Sequence, residues 1–147
     1  MSKSPNQTSK AKAWTAFSLY VRTRDCLNTT GLPFVGVCIT CGKRYHIKAL
    51  QAGHALPGRG NAKLFDEELV NAQCMFCNMH KHGKTKKYHA KMRKKYGKKR
   101  FEQMKIDSKK VIPNRDMHFD EIEQKYKQKL NELIEAVNDM KENSHEI

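Results

Sequence analysis

Between Glu68 and Glu102 the 147-residue chain carries no acidic residue at all. A solvated helix face normally mixes signs, so this gap argues against an ordinary salt-bridged surface. Long apolar runs are also missing. Nothing approaches the roughly 20 residues of a membrane-spanning helix, so a soluble protein is expected. Residues 1–12 are polar and lysine-containing, without the apolar stretch of an export signal; a cytoplasmic location, where thiols stay reduced, is the expectation. No βαβ pattern and no base-recognition helix is evident. Hydrophobic residues make up only 38% of the chain and charged ones 30%. That allows one domain with a small core plus appendages, a class that benefits from a metal staple.

What is abundant is positive charge. The formal net charge is +14. Residues 1–115 hold 25 Lys/Arg against 6 Asp/Glu, a balance of +19, whereas residues 116–147 hold 4 against 9, a balance of −5. Residues 81–100 contain 11 basic side chains: Lys81, Lys84, Lys86, Lys87, Lys91, Arg93, Lys94, Lys95, Lys98, Lys99 and Arg100. A one-signed block of this density calls for a polyanion, and nucleic acid fits best. An anionic membrane fits less well, because the block lacks a strong apolar face. The loop Pro57-Gly58-Arg59-Gly60 adds Arg59, whose neighbouring glycines let guanidinium and backbone approach a phosphate; an ordinary turn has the same composition.

Four of the five cysteines form two C-x-x-C pairs, Cys38 with Cys41 and Cys74 with Cys77. Two such knuckles supply the four thiolates of a tetrahedral structural zinc. A dithiol redox motif normally comes singly and beside a βαβ unit, and disulfides belong to secreted chains. The 32 residues between the pairs exceed the span of a compact zinc ribbon, so something is inserted there. Cys26 is left over and reads as a small buried hydrophobe. Between and around the knuckles lie His54, Asn71 and Asn78. One His and two Asn in a metal-stapled frame suggest a metal-dependent nuclease.

Local patterns place these residues on elements. A helix is predicted over 13–25, a short strand over 34–37 and another over 47–55, carrying His54 at its end. Residues 69–73 can pair with the latter. A helix follows from Asn78 to about Tyr96, ended by Gly97, with a shorter one over 98–106. Pro113 opens a hinge. Phe119, Ile122, Tyr126, Leu130, Leu133, Val137 and Met140 then recur at helical spacing, predicting an amphipathic helix over about 119–141. His82 stands four residues after Asn78, so both can face one ion on a helix.

The ordered set Cys38-x-x-Cys41-Gly42, Gln51-Ala52-Gly53-His54 and Asn71-x-Gln73-Cys74-x-x-Cys77-Asn78, followed by Gly83 and Tyr88, resembles the phage NinG/Rap recombination family and, more broadly, the HNH (ββα-metal) nucleases. The resemblance covers about residues 14–100. It implies an α+β fold: a small zinc-stapled ββα-metal core with flanking helices and a long C-terminal amphipathic helix. It also implies a DNA endonuclease acting on branched recombination intermediates such as Holliday junctions. By the same resemblance His54 is the general base, Asn71 the residue that orients it, and Asn78 a ligand of one catalytic Mg²⁺ or Mn²⁺, which His82 can share by its helical spacing. Such chemistry needs a group that deprotonates water and a hard cation on the phosphate. Many HNH sites place a further metal ligand directly before the base; here that position is Gly53, so weak metal affinity without DNA is expected.

The expected organisation is a disordered basic stretch over 1–12, a Cys₄ nuclease domain with its basic DNA-binding helix over 13–100, and a linker with a helical arm over 101–147. A resolvase that nicks two strands symmetrically favours a homodimer, for which the arm offers a surface; bracing its own domain is the other use. For a phage-encoded protein the location is the host cytoplasm. Two alternatives use the same features: a non-catalytic zinc ribbon that binds nucleic acid and does not need His54, and an HNH enzyme that nicks linear duplex.

Overall fold

The computed structural model describes the backbone of residues 5–79 and 81–145 and the side chains of residues 8–79 and 84–144. Helix α1 (Pro5–Thr30) buries Ala13, Ala16, Phe17, Tyr20 and Val21, the i, i+3, i+4 rhythm of one apolar stripe. Gly31, at φ 77°, ends it by returning its N–H to Leu27 O at 2.9 Å, the left-handed cap that glycine adopts without strain. The expectation of disorder over residues 1–12 is corrected for residues 5–12, which are helical. The cause is tertiary: Lys10 donates to Asn61 Oδ1 and Asn114 Oδ1 at 2.8 and 3.2 Å, and its ammonium lies 5.7 Å from the Phe119 ring centroid.

Two small antiparallel sheets follow. β1 (Val35–Val37) pairs with β2 (Arg44–His46), and the first cysteine knuckle is their connecting loop. β3 (Leu50–His54) pairs with β4 (Val70–Cys74) in the register Leu50↔Cys74, Ala52↔Ala72, Gly53↔Asn71 and His54↔Val70. The strand expected from residue 47 begins only at Leu50, because Ile47–Ala49 form a 3₁₀ turn capped by His46 Nδ1. A short helix, α2 (Asn61–Leu64), sits in the loop between β3 and β4. The outer edge of β4 is closed: Arg24 Nη2 donates to Val70 O, Asp25 Oδ2 accepts from Ala72 N, and Ile39 N donates to Ala72 O. An uncovered edge invites pairing with another chain.

β4 leads directly into α3 (Met75–Met79), then α4 (Lys81–Tyr96) and α5 (Lys98–Asp107), with Gly97 at φ 87° between the last two. The chain order strand, strand, helix is thus present around the second knuckle. Directly paired residues share a face. Ala52, His54 and Val70 therefore face α1, and Gln51, Gly53, Asn71 and Gln73 face α3 and α4. The final helix, α6 (Phe119–His145), lies along α1. The contacts Lys10–Phe119, Phe17–Tyr126 and Tyr20–Lys129 keep one constant offset, so the two helices run in the same direction. No described helix is long and apolar enough to cross a membrane.

Candidate metal centre and active site

The four knuckle cysteines converge although 32 residues separate the two pairs. Their Sγ atoms all lie within 4.8 Å of one another, and Cys38, Cys74 and Cys77 are buried. A tetrahedral zinc with Zn–S bonds of about 2.3 Å needs sulfurs about 3.8 Å apart, so the cage fits a metal ion such as zinc with little contraction. The donors suit it too. Cys77 N–H points at Cys74 Sγ at 3.4 Å, and Gly42 at φ 73° returns its N–H to Cys38 O. Burial would raise the Cys38 thiol, but backbone N–H groups of Cys41, Cys74 and Thr40 and the Thr40 hydroxyl pull it down to about 6. The thiolate is the metal-binding form. Cys26 stands apart, fully buried, its thiol pushed up to about 11 by burial, as expected of an inert core residue.

His54 closes β3 and is held from four sides. Its Nε2 lies 3.2 Å from the carbonyl of Leu64, the last residue of α2. A carbonyl only accepts, so in the neutral ring Nε2 carries the proton and Nδ1 keeps the lone pair. Trp14 stacks on the imidazole at 5.3 Å and 17°, and the Arg59 guanidinium covers Trp14 at 4.8 Å. Consecutive residues of α4 clamp the backbone on either side: Tyr88 OH donates to Gly53 O at 2.6 Å and His89 Nε2 to Ala55 O at 2.8 Å. Burial, with the charges of Arg59 and Lys63, lowers the His54 pKa despite the Leu64 hydrogen bond. The ring is therefore neutral at physiological pH.

Asn71 is not beside His54. The register puts it on the opposite face, 2% exposed, where Nδ2 donates to Tyr88 OH at 3.2 Å and Oδ1 accepts from Lys95 Nζ at 3.3 Å. The expectation that Asn71 orients the base is corrected: the Leu64 carbonyl makes that contact, and the Asn71 side chain reaches the β3 backbone through Tyr88 OH. Asn78, on α3, donates to Gln51 Oε1 at 2.7 Å. Its Oδ1 lies 3.1 Å from where a Cβ at Gly53 would stand, and Gln73 fills the rest of that space. Glycine before the base is thus a packing requirement, and Asn78 Oδ1 occupies the place a ligand at position 53 would claim. Among the described residues the cysteine cage is the one group of three or more His, Cys, Asp or Glu atoms close enough to hold an ion. The side chain of His82 lies outside the described residues, as does that of Lys81.

The basic block falls on α4 and α5. Lys86, Lys87, Lys91, Arg93, Lys94, Lys95, Lys98, Lys99 and Arg100 are exposed, around the buried Tyr88 and Met92. Three members have partners of their own: Arg100 pairs with Glu68 at 2.7 Å, Lys84 Nζ lies 4.9 Å from the Phe76 ring centroid, and Lys95 Nζ, besides its bond to Asn71 Oδ1, lies 5.3 Å from that of Tyr96. Sequence reasoning missed Trp14, Asn61, Leu64 and His89. Asn61 ties α2 to the chain before α6, donating to Ile112 O at 2.7 Å, and so holds the helix whose last carbonyl fixes His54. A backbone acceptor leaves no mark on a sequence, and Asn61 is the first residue of a four-residue helix capped by Gly60 without a side-chain bond, so no capping pattern marks it either.

No curated protein and no solved structure matches the chain significantly. The family described as bacteriophage lambda NinG protein matches residues 3–136, nearly the whole chain, which therefore belongs to the NinG family.

Proposed function

We propose that the protein is a metal-dependent DNA endonuclease of the HNH kind that cuts branched DNA. The observation that carries the reading is His54: a neutral imidazole at the end of β3, its Nε2 pinned to Leu64 O, so that Nδ1 is the free base. In this reading Nδ1 takes the proton of a water attacking the phosphodiester. By the resemblance Asn78, with His82 from the sequence spacing, would hold a Mg²⁺ or Mn²⁺ supplying Lewis acidity at the phosphate and the leaving oxygen; Asn78 packs against Gly53 on the hairpin face away from His54, so such an ion would have to meet the phosphate round the end of β3. Arg59, stacked over Trp14 beside the base, supplies a fixed positive charge near the reacting phosphate, and the exposed lysines of α4 and α5 grip the backbone.

Junction resolution by a homodimer completes the proposal, because paired incisions need two sites held across one substrate. The test is cleavage of matched linear, forked and four-way DNA by the zinc-loaded protein with Mg²⁺ or Mn²⁺. His54→Ala should lower the rate at least about 10²-fold, as for loss of a general base, with zinc content and DNA binding retained. A variant that cuts at the native rate, or a native protein that binds and never cuts, would leave the non-catalytic ribbon.

A further inference from the structure

On the face of the β3–β4 hairpin opposite His54, the end of α1, the first knuckle, β4 and α4 enclose a cleft of about 270 Å³ whose walls include Asp25, Asn28, Cys38, Asn71, Lys91 and Lys95. We propose that this cleft is a phosphate-binding subsite, taking a backbone phosphate of bound DNA remote from the bond that is cut. The DNA ligand rests on the nuclease-family reading above; the anion chemistry rests on the cleft alone.

The charge in the cleft is decided by which groups are already satisfied. Asp25 is its one carboxylate, and both oxygens are engaged: Oδ1 accepts from Arg24 Nε at 2.8 Å and Oδ2 from Ala72 N at 2.7 Å. Lys91 and Lys95 stand one turn apart on α4, so they share a side of the helix. Neither makes an ion pair with a carboxylate among the described residues. Asn71 is the device that turns this pair into a site. Its amide is fixed by donation to Tyr88 OH, so Oδ1 presents an acceptor to Lys95 Nζ and draws that ammonium inward. An ammonium has three N–H donors; Lys95 gives one to Asn71 Oδ1 and lies 5.3 Å from the Tyr96 ring centroid, which still leaves it a donor for a ligand, Lys91 adds its own, and the exposed amide of Asn28 borders the opening. The cleft is far larger than the roughly 30 Å³ share of one water. A site carrying two cations, whose one carboxylate already has its partners, takes a phosphodiester or phosphate. Because Asn71 and His54 lie on opposite faces, a phosphate here belongs to a different stretch of backbone from the one attacked. The contact therefore adds most on a substrate that wraps or branches around the hairpin.

The test compares two double variants of the full, zinc-loaded chain that remove equal charge: Lys91→Gln with Lys95→Gln inside the cleft, and Lys98→Gln with Lys99→Gln outside it. Binding to a four-way junction is measured without divalent metal, so that cleavage plays no part. The cleft pair should weaken binding about tenfold more than the control pair, the scale of losing charge-assisted hydrogen bonds to one fixed phosphate. In the unchanged protein a short thymidine oligonucleotide should shift the Asn71 side-chain amide resonances. Equal losses from the two pairs, or Asn71 resonances unmoved by saturating DNA, would overturn the subsite. Saturation by inorganic phosphate without competition from DNA would overturn the DNA source, leaving a free-phosphate site. A protein that shows the cleft-specific loss yet never cuts DNA refutes the nuclease reading and leaves the subsite standing.

Discussion

At the scale of single residues, His54 is defined by what surrounds it more than by its own chemistry. Burial and two nearby cations favour the neutral ring, so its pKa lies below the ordinary 6.5. Cleavage that relies on the neutral base should then be flat with pH above about 6.5 and fall only as the pH drops through the lowered value. The chain's single tryptophan provides a readout independent of activity, because protonation places a cation against the Trp14 face. Trp14 fluorescence should show a transition below pH 6.5 that disappears in His54→Gln; a midpoint at or above 6.5 would contradict the lowered pKa. His89 is lowered by burial as well. For both groups the contribution to stability is complete above their unfolded value and is lost as pH falls through the folded one. Gly53 gives a second residue-scale prediction. A Cβ there would land on Gln73 Oε1 and sit 3.0 Å from Gln73 Cβ, and both belong to a fully buried side chain. Gly53→Ala should cost about 1–3 kcal/mol of stability, the range for overpacking a core, measured by urea unfolding.

At the scale of elements, α6 is the one whose role changes most. Its acidic, amphipathic stripe suits either a partner copy or the chain's own domain. The structure uses the first half for the latter: Phe119 and Tyr126 are buried, Tyr126 meets Phe17 edge-on at 4.8 Å, and Lys129 reaches Glu67 at 2.9 Å. Removing α6 would strip one wall from the core around Phe17, Tyr20 and Val21. A chain ending near Arg115 should therefore lose its cooperative unfolding transition, not merely dissociate. Tyr126→Ala, a milder version, should cost about 3–5 kcal/mol, as for other buried aromatics cut to alanine. A loss under about 1 kcal/mol in denaturant titration would show that α6 is a peripheral arm. The same helix pair leaves a groove beside Leu19 and Leu130, so bracing by one side of α6 does not consume the other.

For the whole molecule, the cysteine cage is where distant parts of the chain meet. It joins the loop between β1 and β2 to the junction of β4 with α3, and its sulfurs form a buried cluster with Cys26, Leu50 and Ala72. Strands of three to five residues in two-stranded sheets are marginal by themselves. One tightly held zinc per chain is expected by elemental analysis, and a strong chelator should unfold the protein, with circular dichroism and DNA binding lost together. Native folded protein free of metal would refute the structural role. The charge split is also a whole-molecule property. The acidic arm lies along α1, while the lysine-rich face is on α4 and α5, so the positive field stays concentrated on one part of the surface.

The sequence by itself determined the local features. Two C-x-x-C spacings named the four cysteines that converge, alternating and helical rhythms located β1, β4, α1 and α6, and Gly97 marked the break between α4 and α5. These signals are short-range, carried by side-chain identity at fixed spacing. What only the tertiary structure decided was which groups face one another. Motif order put Asn71 beside His54, but the pairing Gly53↔Asn71 places it one residue out of phase, and in a strand one residue is the whole thickness of the sheet. The groups that do hold His54 include the carbonyls of Gly53, Ala55 and Leu64, which every residue type possesses and no sequence pattern distinguishes. Likewise the helical start of α1 depends on Asn61, Asn114 and Phe119, which lie 51 to 109 positions away along the chain. Composition reads those first residues as free chain, and long-range contacts fold them.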